Sequence, residues 1–227
     1  TAKEDIETRR DFRDLNFVTI DGSNAKDFDD AVYAEELSDG FRLYVAIADV
    51  SAYVTKDSQL DKEAFSRATS VYFEKKVIPM LPELISNQLC SLRPNEDKLV
   101  LTCEIYLDNR GEIKDFEFFN SVICSKNRLT YDEVEKFYQK GQTALLDDAV
   151  NNLRVLKKIH SLRRKIREDR KAIDFYLPEY RPVGKDNKII KFKATSHLLA
   201  NEVIEESMIL ANICLLYTSP SPRDGSI

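Results

Sequence analysis

The sequence is poor in the residues that build zinc sites and in long apolar runs. It has only two histidines, His160 and His197, and its four cysteines form no C-x-x-C pair, which argues against a zinc site. No apolar run approaches ~18 residues, and the charged start at residues 1–5 has no signal-peptide core. We therefore expect a cytoplasmic protein with reduced thiols and no membrane segment.

The chain also has no large excess of charge of one sign. It carries 34 Lys and Arg against 39 Asp and Glu, and the net charge of −5 argues against binding polyanions over the whole surface. A local basic track is still compatible with this charge. One basic run lies on a predicted helix, and we interpret it as a solvated helix face, with contact to phosphate as the alternative. This run comprises Lys157, Lys158, Arg163, Arg164, Lys165 and Arg167.

A dense group of carboxylates between two apolar runs is the most informative feature present. Residues 17–20 and 31–34 predict strands on either side of it. The four aspartates are Asp21, Asp27, Asp29 and Asp30. Burying several ionised groups together is costly unless a cation neutralises them, and hard oxygen ligands without His or Cys suit Mg²⁺ or Mn²⁺. We interpret the group as a candidate metal site for phosphoryl displacement, with a solvated loop or a structural ion site as alternatives.

Hydrophobic periodicity predicts an α+β fold with mixed sheets and packed helices. The Asp39-Gly40 dipeptide between apolar runs is a hairpin signal. Residues 1–16 are a charged lead-in, and 227 residues suffice for one large domain or two small ones. The main predicted strands are 17–20, 31–34, 41–48, 99–107, 113–123 and 188–192, and the main predicted helices are 60–67, 79–89, 131–138, 144–170 and 196–214.

The final residues, 214–227, depart from this pattern. The helix before them is apolar to its end, without a capping signal, and is followed by a Ser-Pro repeat. This tail resembles translated sequencing-adaptor readthrough, and we expect it to be foreign to the protein. A natural disordered tail is the alternative.

Several motifs, in order, resemble the catalytic (RNB) domain of the ribonuclease II and ribonuclease R family. The resemblance spans about residues 8–213 and is closer to ribonuclease R, through Asp27-Phe28-Asp29-Asp30 and the segment 77–82. The matching segments are 11–32, 48–54, 70–73, 77–83, 89–92, 128–131 and 205–212. It implies that residues 17–213 are the N-terminal part of an RNB-type catalytic domain in a longer, monomeric protein.

The resemblance also implies an activity and a set of site residues. Family members are hydrolytic exoribonucleases that degrade single-stranded RNA from its 3′ end to nucleoside 5′-monophosphates, with Mg²⁺ and with Mn²⁺ as a substitute. Asp21, Asp27, Asp29 and Asp30 correspond to the catalytic, metal-binding aspartates. The RNA-binding positions are Tyr72 and Phe175, which would clamp the 3′-terminal nucleotide, and Glu205, which would contact a sugar hydroxyl.

The same residues are compatible with other roles and the chain with other functions. Tyr72 and Phe175 are also consistent with core aromatics, and Glu205 with an exposed helix face. A non-catalytic RNA-binding or regulatory protein with an RNB-like fold is the main alternative function, and a phosphoesterase that does not cleave RNA is a third. The family's Arg-rich motif is expected beyond residue 213, so we expect this chain alone to be inactive.

Overall fold

The computed structural model describes residues 6–73, 76–141, 147–172, 179–185, 188–195 and 197–218. Within these ranges the chain has the mixed α+β architecture that the sequence predicts. The strands are β1 (Arg10–Asp11), β2 (Val18–Asp21), β3 (Asp30–Leu37), β4 (Gly40–Ala48), β5 (Val71–Tyr72), β6 (Val77–Ile78), β7 (Asp97–Asp108), β8 (Ile113–Cys124), β9 (Asn127–Thr130), β10 (Glu179–Lys185) and β11 (Lys188–Thr195). The helices are α1 (Gln59–Arg67), α2 (Tyr131–Lys140), α3 (Asp147–Asp169) and α4 (Leu199–Thr218), with a 3₁₀-helix at Val50–Ala52 and a π-helix at Ile85–Leu89.

Seven strands form the central sheet, in the order β1-β8-β7-β4-β3-β2-β9. The outer pairs β1–β8 and β2–β9 are parallel, and the other neighbours are antiparallel. The predicted β3–β4 hairpin is confirmed, with Leu37 paired with Gly40. A Cβ at Gly40 would collide with the Leu107 carbonyl on β7, so this close approach requires glycine. Two small antiparallel pairs, β5–β6 and β10–β11, lie outside the large sheet.

The central sheet contributes residues to two hydrophobic cores, one on each face, because its middle strands are apolar on both sides. One face, with Val18, Ile20 and Val32, packs in the same core as residues of α2, α3 and α4. The opposite face, with Phe17 and Ala31, packs against Leu81, Ile85, Cys90 and Leu92 and other members of a second core. This alternation along β2 and β3 fixes their register and thereby the position of the acidic segment between them.

A buried ion pair joins α3 to α4. Arg163 Nε lies 3.4 Å from Glu206 Oε1, and both side chains are almost fully buried. Arg167 Nη1 approaches the other carboxylate oxygen of Glu206 at 3.2 Å. The interpretation of the basic run as a solvated face is therefore wrong at Arg163, because this side chain is buried. Its acidic partner lies on α4, so the sequence of α3 alone does not reveal it.

Other local predictions differ from the structure in detail. Residues 79–89 were expected to be helical, but the ordered helix here is a short π-helix that ends at Leu89. The predicted strand at 188–192 is β11, and it pairs with β10, which contains Pro182 and Gly184 and was not predicted. Helix α4 extends to Thr218, and the foreign origin of residues 214–227 stays a prediction. No helix in the described part of the chain is long and apolar enough to cross a membrane.

Candidate active site

The four aspartates occupy the connection between β2 and β3. Asp21 ends β2 and Asp30 begins β3. These strands pair at Val18 and Val32, so the chain leaves the sheet after Asp21 and returns at Asp30. Backbone bonds fix the return, because Ala48 on β4 donates its N–H to the Asp29 carbonyl at 2.9 Å. The sequence prediction that the aspartates share one loop is confirmed by this geometry.

Strand β9 brings Arg128 and the start of α2 beside this loop. It runs parallel to β2, with Asp21 opposite Thr130. Arg128 Nη2 donates hydrogen bonds to the carbonyls of Gly22 at 2.8 Å and Ser23 at 3.1 Å, and its guanidinium lies 5.4 Å from the centre of the Phe28 ring. Arg128 therefore holds the first half of the loop and places a positive charge next to the acids.

The acids are held at positions that disfavour their ionised forms. Burial and the charge of Asp30 raise the pKa of Asp21 to about 7, while Arg128 opposes the shift. Burial and the charge of Asp29 raise the pKa of Asp30 to about 6. Burial and the charge of Asp27 also raise the pKa of Asp29. Pockets of mutually repelling, partly desolvated carboxylates are common at functional sites.

These residues fit a divalent metal ion by their chemistry. Asp21 Oδ2 is buried and has no hydrogen-bond partner among the described residues, so one carboxylate oxygen has its bonding capacity unused there. Hard carboxylate oxygens suit Mg²⁺ and Mn²⁺. Among the described residues, no three His, Cys, Asp or Glu side chains are arranged as a ready-made ligand set. The assignment of the four aspartates as ligands therefore stays a prediction.

Tyr72 reaches the acidic loop from the β5–β6 ribbon. Its hydroxyl donates a hydrogen bond to Asp27 Oδ2 at 3.1 Å. The residue is 65% exposed, so it is not a core aromatic, and its ring presents a free face beside the acids. Phe175, the other predicted clamp residue, lies outside the described residues.

Tyr131 is a site residue that sequence reasoning missed. It is the first residue of α2, whose N-terminus is capped by Thr130 and Glu133. Burial and the charges of Asp21, Asp30 and Glu205 raise the pKa of Tyr131 to about 12, against a hydrogen bond with Asn201. Its side chain is therefore close enough to feel the charges of both the acidic loop and α4. Its signal in the sequence is the motif at 128–131, in which Tyr131 directly follows the strand that carries Arg128.

Glu205 lies on the exposed surface of α4. Its carboxylate approaches His197 Nε2 at 3.4 Å, and its own side chain is 57% exposed. The structure therefore brings Tyr72 to the acidic loop, whereas Glu205 contacts His197 on the surface of α4. The acidic loop thus combines clustered carboxylates, whose oxygens suit a hard divalent cation, with an accessible aromatic ring.

Comparison with known proteins gives consistent matches. A family model described as "RNB domain" matches residues 9–219. Ribonuclease R of Acidithiobacillus ferrooxidans is 51% identical over 169 residues, which are 74% of this chain and 38% of the relative. Ribonuclease R of Escherichia coli is 44% identical over 210 residues, which are 90% of this chain and 26% of the relative.

A solved structure matches the fold closely. Mycoplasma genitalium RNase R in complex with ribose-methylated single-stranded RNA superposes with a TM-score of 0.92 at 38% identity, over 96% of this chain and 35% of that chain. The chain thus spans well under half the length of the proteins that it matches.

Proposed function

We propose, from the premise that this chain belongs to the RNB domain family, that it forms part of a hydrolytic 3′-to-5′ exoribonuclease that requires a divalent metal ion. Residues 17–213 would be the N-terminal part of the catalytic domain, and residues 214–227 a foreign tail. The observation that carries the proposal is the acidic loop itself. Its carboxylates have raised pKa values, one Asp21 oxygen has no hydrogen-bond partner among the described residues, and the exposed Tyr72 contacts Asp27.

The cofactor we propose is Mg²⁺, with Mn²⁺ as a substitute. Asp21 and Asp30 would be the direct ligands, and Asp27 and Asp29 would complete the site. A bound ion of this kind activates water and stabilises the leaving oxygen of a phosphodiester. The protein's own contribution is to hold the carboxylates in one loop and, through Arg128, to favour the ionised form of Asp21.

The substrate we propose is single-stranded RNA, bound by its 3′-terminal nucleotides. The exposed Tyr72 ring suits stacking on a base of any identity, and Phe175 would be the opposing clamp. Glu205, with Tyr131 beside it, suits hydrogen bonding to a ribose 2′-hydroxyl, which distinguishes RNA from DNA. The RNA complex of the Mycoplasma genitalium relative supports this substrate class.

The setting we propose is a monomeric protein in the cytoplasm. The free state of Cys90, Cys103, Cys124 and Cys214 is consistent with a reducing compartment. We also propose that residues 1–227 alone do not degrade RNA processively, because the Arg-rich motif of the family is expected in the second half of the catalytic domain.

A pair of asparagine variants tests the proposal. In a full-length protein carrying this sequence, Asp29→Asn should stop hydrolysis of a labelled single-stranded RNA while leaving RNA affinity nearly unchanged, because phosphate and stacking contacts provide the affinity. Asp39→Asn, in the exposed turn at the far end of β3, is the matched control and should keep full activity.

The competing functions give other outcomes. RNA binding without hydrolysis by the unsubstituted full-length protein would support a non-catalytic RNA-binding protein. Cleavage of small phosphodiesters but not of RNA would support a phosphoesterase. Equal loss of binding and hydrolysis in Asp29→Asn would contradict the catalytic assignment. Processive degradation by residues 1–227 alone would show that the second half is dispensable.

A further inference from the structure

Ser91 makes two hydrogen bonds that enclose Asp27. Its hydroxyl donates to the Lys26 carbonyl at 3.1 Å and accepts the Phe28 N–H at 3.1 Å. These are the backbone groups on either side of Asp27. Ser91 itself is fully buried, and it contributes no carboxylate or ring to the acidic loop. One hydroxyl therefore fixes the backbone on both sides of a proposed metal ligand.

The position of Ser91 is itself fixed by its neighbours. The π-helix before it closes with the Cys90 N–H donating to the Ile85 carbonyl at 2.9 Å. The buried Lys98 side chain, on β7, donates to the Gln88 carbonyl near the end of the same helix. The following residue, Leu92, donates its N–H to the Phe28 carbonyl at 2.8 Å. Short π-helical turns often occur at functional sites, and this one ends two residues before Ser91, which contacts the acidic loop.

The two hydrogen bonds of Ser91 involve the backbone beside Asp27 and do not involve the Asp27 carboxylate. Asp27 Oδ2 accepts the Tyr72 hydroxyl at 3.1 Å, so its side chain faces the site while Ser91 holds its main chain from behind. Without the hydroxyl, the Phe28 N–H would lose a buried acceptor and the turn at 26–28 would be free to adopt other conformations. Groups that orient metal ligands are needed for affinity even though they do not touch the metal.

We propose that Ser91 is a positioning residue for the divalent-metal site and acts through Asp27. The inference rests on the proposed function, since it assumes that Asp27 contributes to binding the ion. In this proposal, Ser91 lies outside the acidic loop and holds Asp27 in the geometry that the ion requires.

The test measures Mn²⁺ binding to a full-length protein carrying this sequence by the loss of the free-ion electron paramagnetic resonance signal. Ser91→Ala should weaken binding by about 10-fold or more. Ser125→Ala is the matched control, because Ser125 is equally buried and its hydroxyl has no hydrogen-bond partner within the described part of the chain. It should bind Mn²⁺ like the original sequence. Circular dichroism melts verify that each variant is folded.

A double-mutant cycle tests the route through Asp27. In an Asp27→Asn background, adding Ser91→Ala should change Mn²⁺ affinity by less than about 2-fold, because the ligand that Ser91 orients is already lost. A full effect in that background, or no effect of Ser91→Ala in the original sequence, would overturn the inference. If Ser91→Ala does not fold, Ser91→Cys replaces it and should bind more weakly than the original, since a thiol is a poor hydrogen-bonding group.

The two proposals fail differently. If the original sequence does not bind Mn²⁺, the metal site of the proposed function is wrong. If it binds and Ser91→Ala binds equally well, only the role of Ser91 is wrong.

Discussion

The buried acids should make the metal-free protein less stable as pH rises, and Asp30→Asn should remove much of this dependence. The pKa of Asp30 rises from 3.8 to about 6, and that of Asp21 to about 7. The folded chain thus binds these protons more tightly than the unfolded chain. The free energy of unfolding should therefore fall as pH rises from about 4 to about 7, and level off outside this window.

The magnitude follows from the shift at Asp30. A rise of roughly two pKa units at 1.36 kcal/mol per unit corresponds to about 3 kcal/mol lost between about pH 4 and pH 7. The pKa rise of Asp21 adds to this loss, and solvent screening reduces its contribution because the side chain is partly exposed. Asparagine has the same shape without the charge, so Asp30→Asn should stabilise the metal-free chain by about 2–3 kcal/mol at about pH 8. That corresponds to a rise in melting temperature of about 5–10 °C.

The assay is thermal unfolding followed by circular dichroism between about pH 5 and pH 8, in EDTA and in Mg²⁺. The control is Asp39→Asn, which should follow the original profile. Mg²⁺ should stabilise the original sequence by mass action but not Asp30→Asn. A flat profile for the original sequence, or an Asp30→Asn variant that is no more stable at high pH, would refute the reasoning that these carboxylates are held desolvated and close together.

Three further substitutions have expected outcomes. In a full-length protein, Tyr72→Ala should lengthen the limit product of RNA digestion whereas Tyr72→Phe should not, because short products depend on the stacked ring; gel analysis of end products decides this, and an unchanged length would mean that the ring does not stack on RNA. Arg163→Ala should lower the free energy of unfolding by about 3 kcal/mol, because Glu206 stays buried and loses its buried arginine partner; urea unfolding measures it, and a loss no larger than that of exposed Arg110→Ala would contradict the buried pair. Arg128→Gln should weaken Mn²⁺ binding more than Arg128→Lys, since lysine keeps the charge that favours ionised Asp21; calorimetric titration checks the order, and equal affinities would contradict it.

The acidic loop could be predicted because its determinants are local. The apolar runs that flank it are the strands β2 and β3, and their alternation places Phe17 and Ala31 on one face and Val18 and Val32 on the other. The positions of all four aspartates in one connection follow from this. Their raised pKa values do not, because they depend on how deeply the loop is buried by other parts of the chain.

The remaining site residues depend on distant contacts. Tyr131 and Arg128 reach the loop only because β9 pairs in parallel with β2, more than a hundred residues away in sequence. Ser91 reaches it through a π-helix, which has no periodicity signal of its own. The basic run on α3 looked solvated because its partner, Glu206, lies on another helix. Periodicity identifies which face of an element is apolar, but it does not identify what packs there.

The direction and products of RNA cleavage distinguish a 3′-to-5′ exoribonuclease from the alternative functions. A full-length protein carrying this sequence should be incubated with Mg²⁺ and a single-stranded RNA labelled at the 3′-terminal nucleotide, and in parallel with the same RNA labelled at its 5′ end. We expect immediate release of the 3′ label as a nucleoside 5′-monophosphate and progressive shortening of the 5′-labelled RNA. Neither reaction should occur in EDTA or with Asp29→Asn. Internal cleavage, products with a 3′-phosphate, or hydrolysis that persists in EDTA would contradict it.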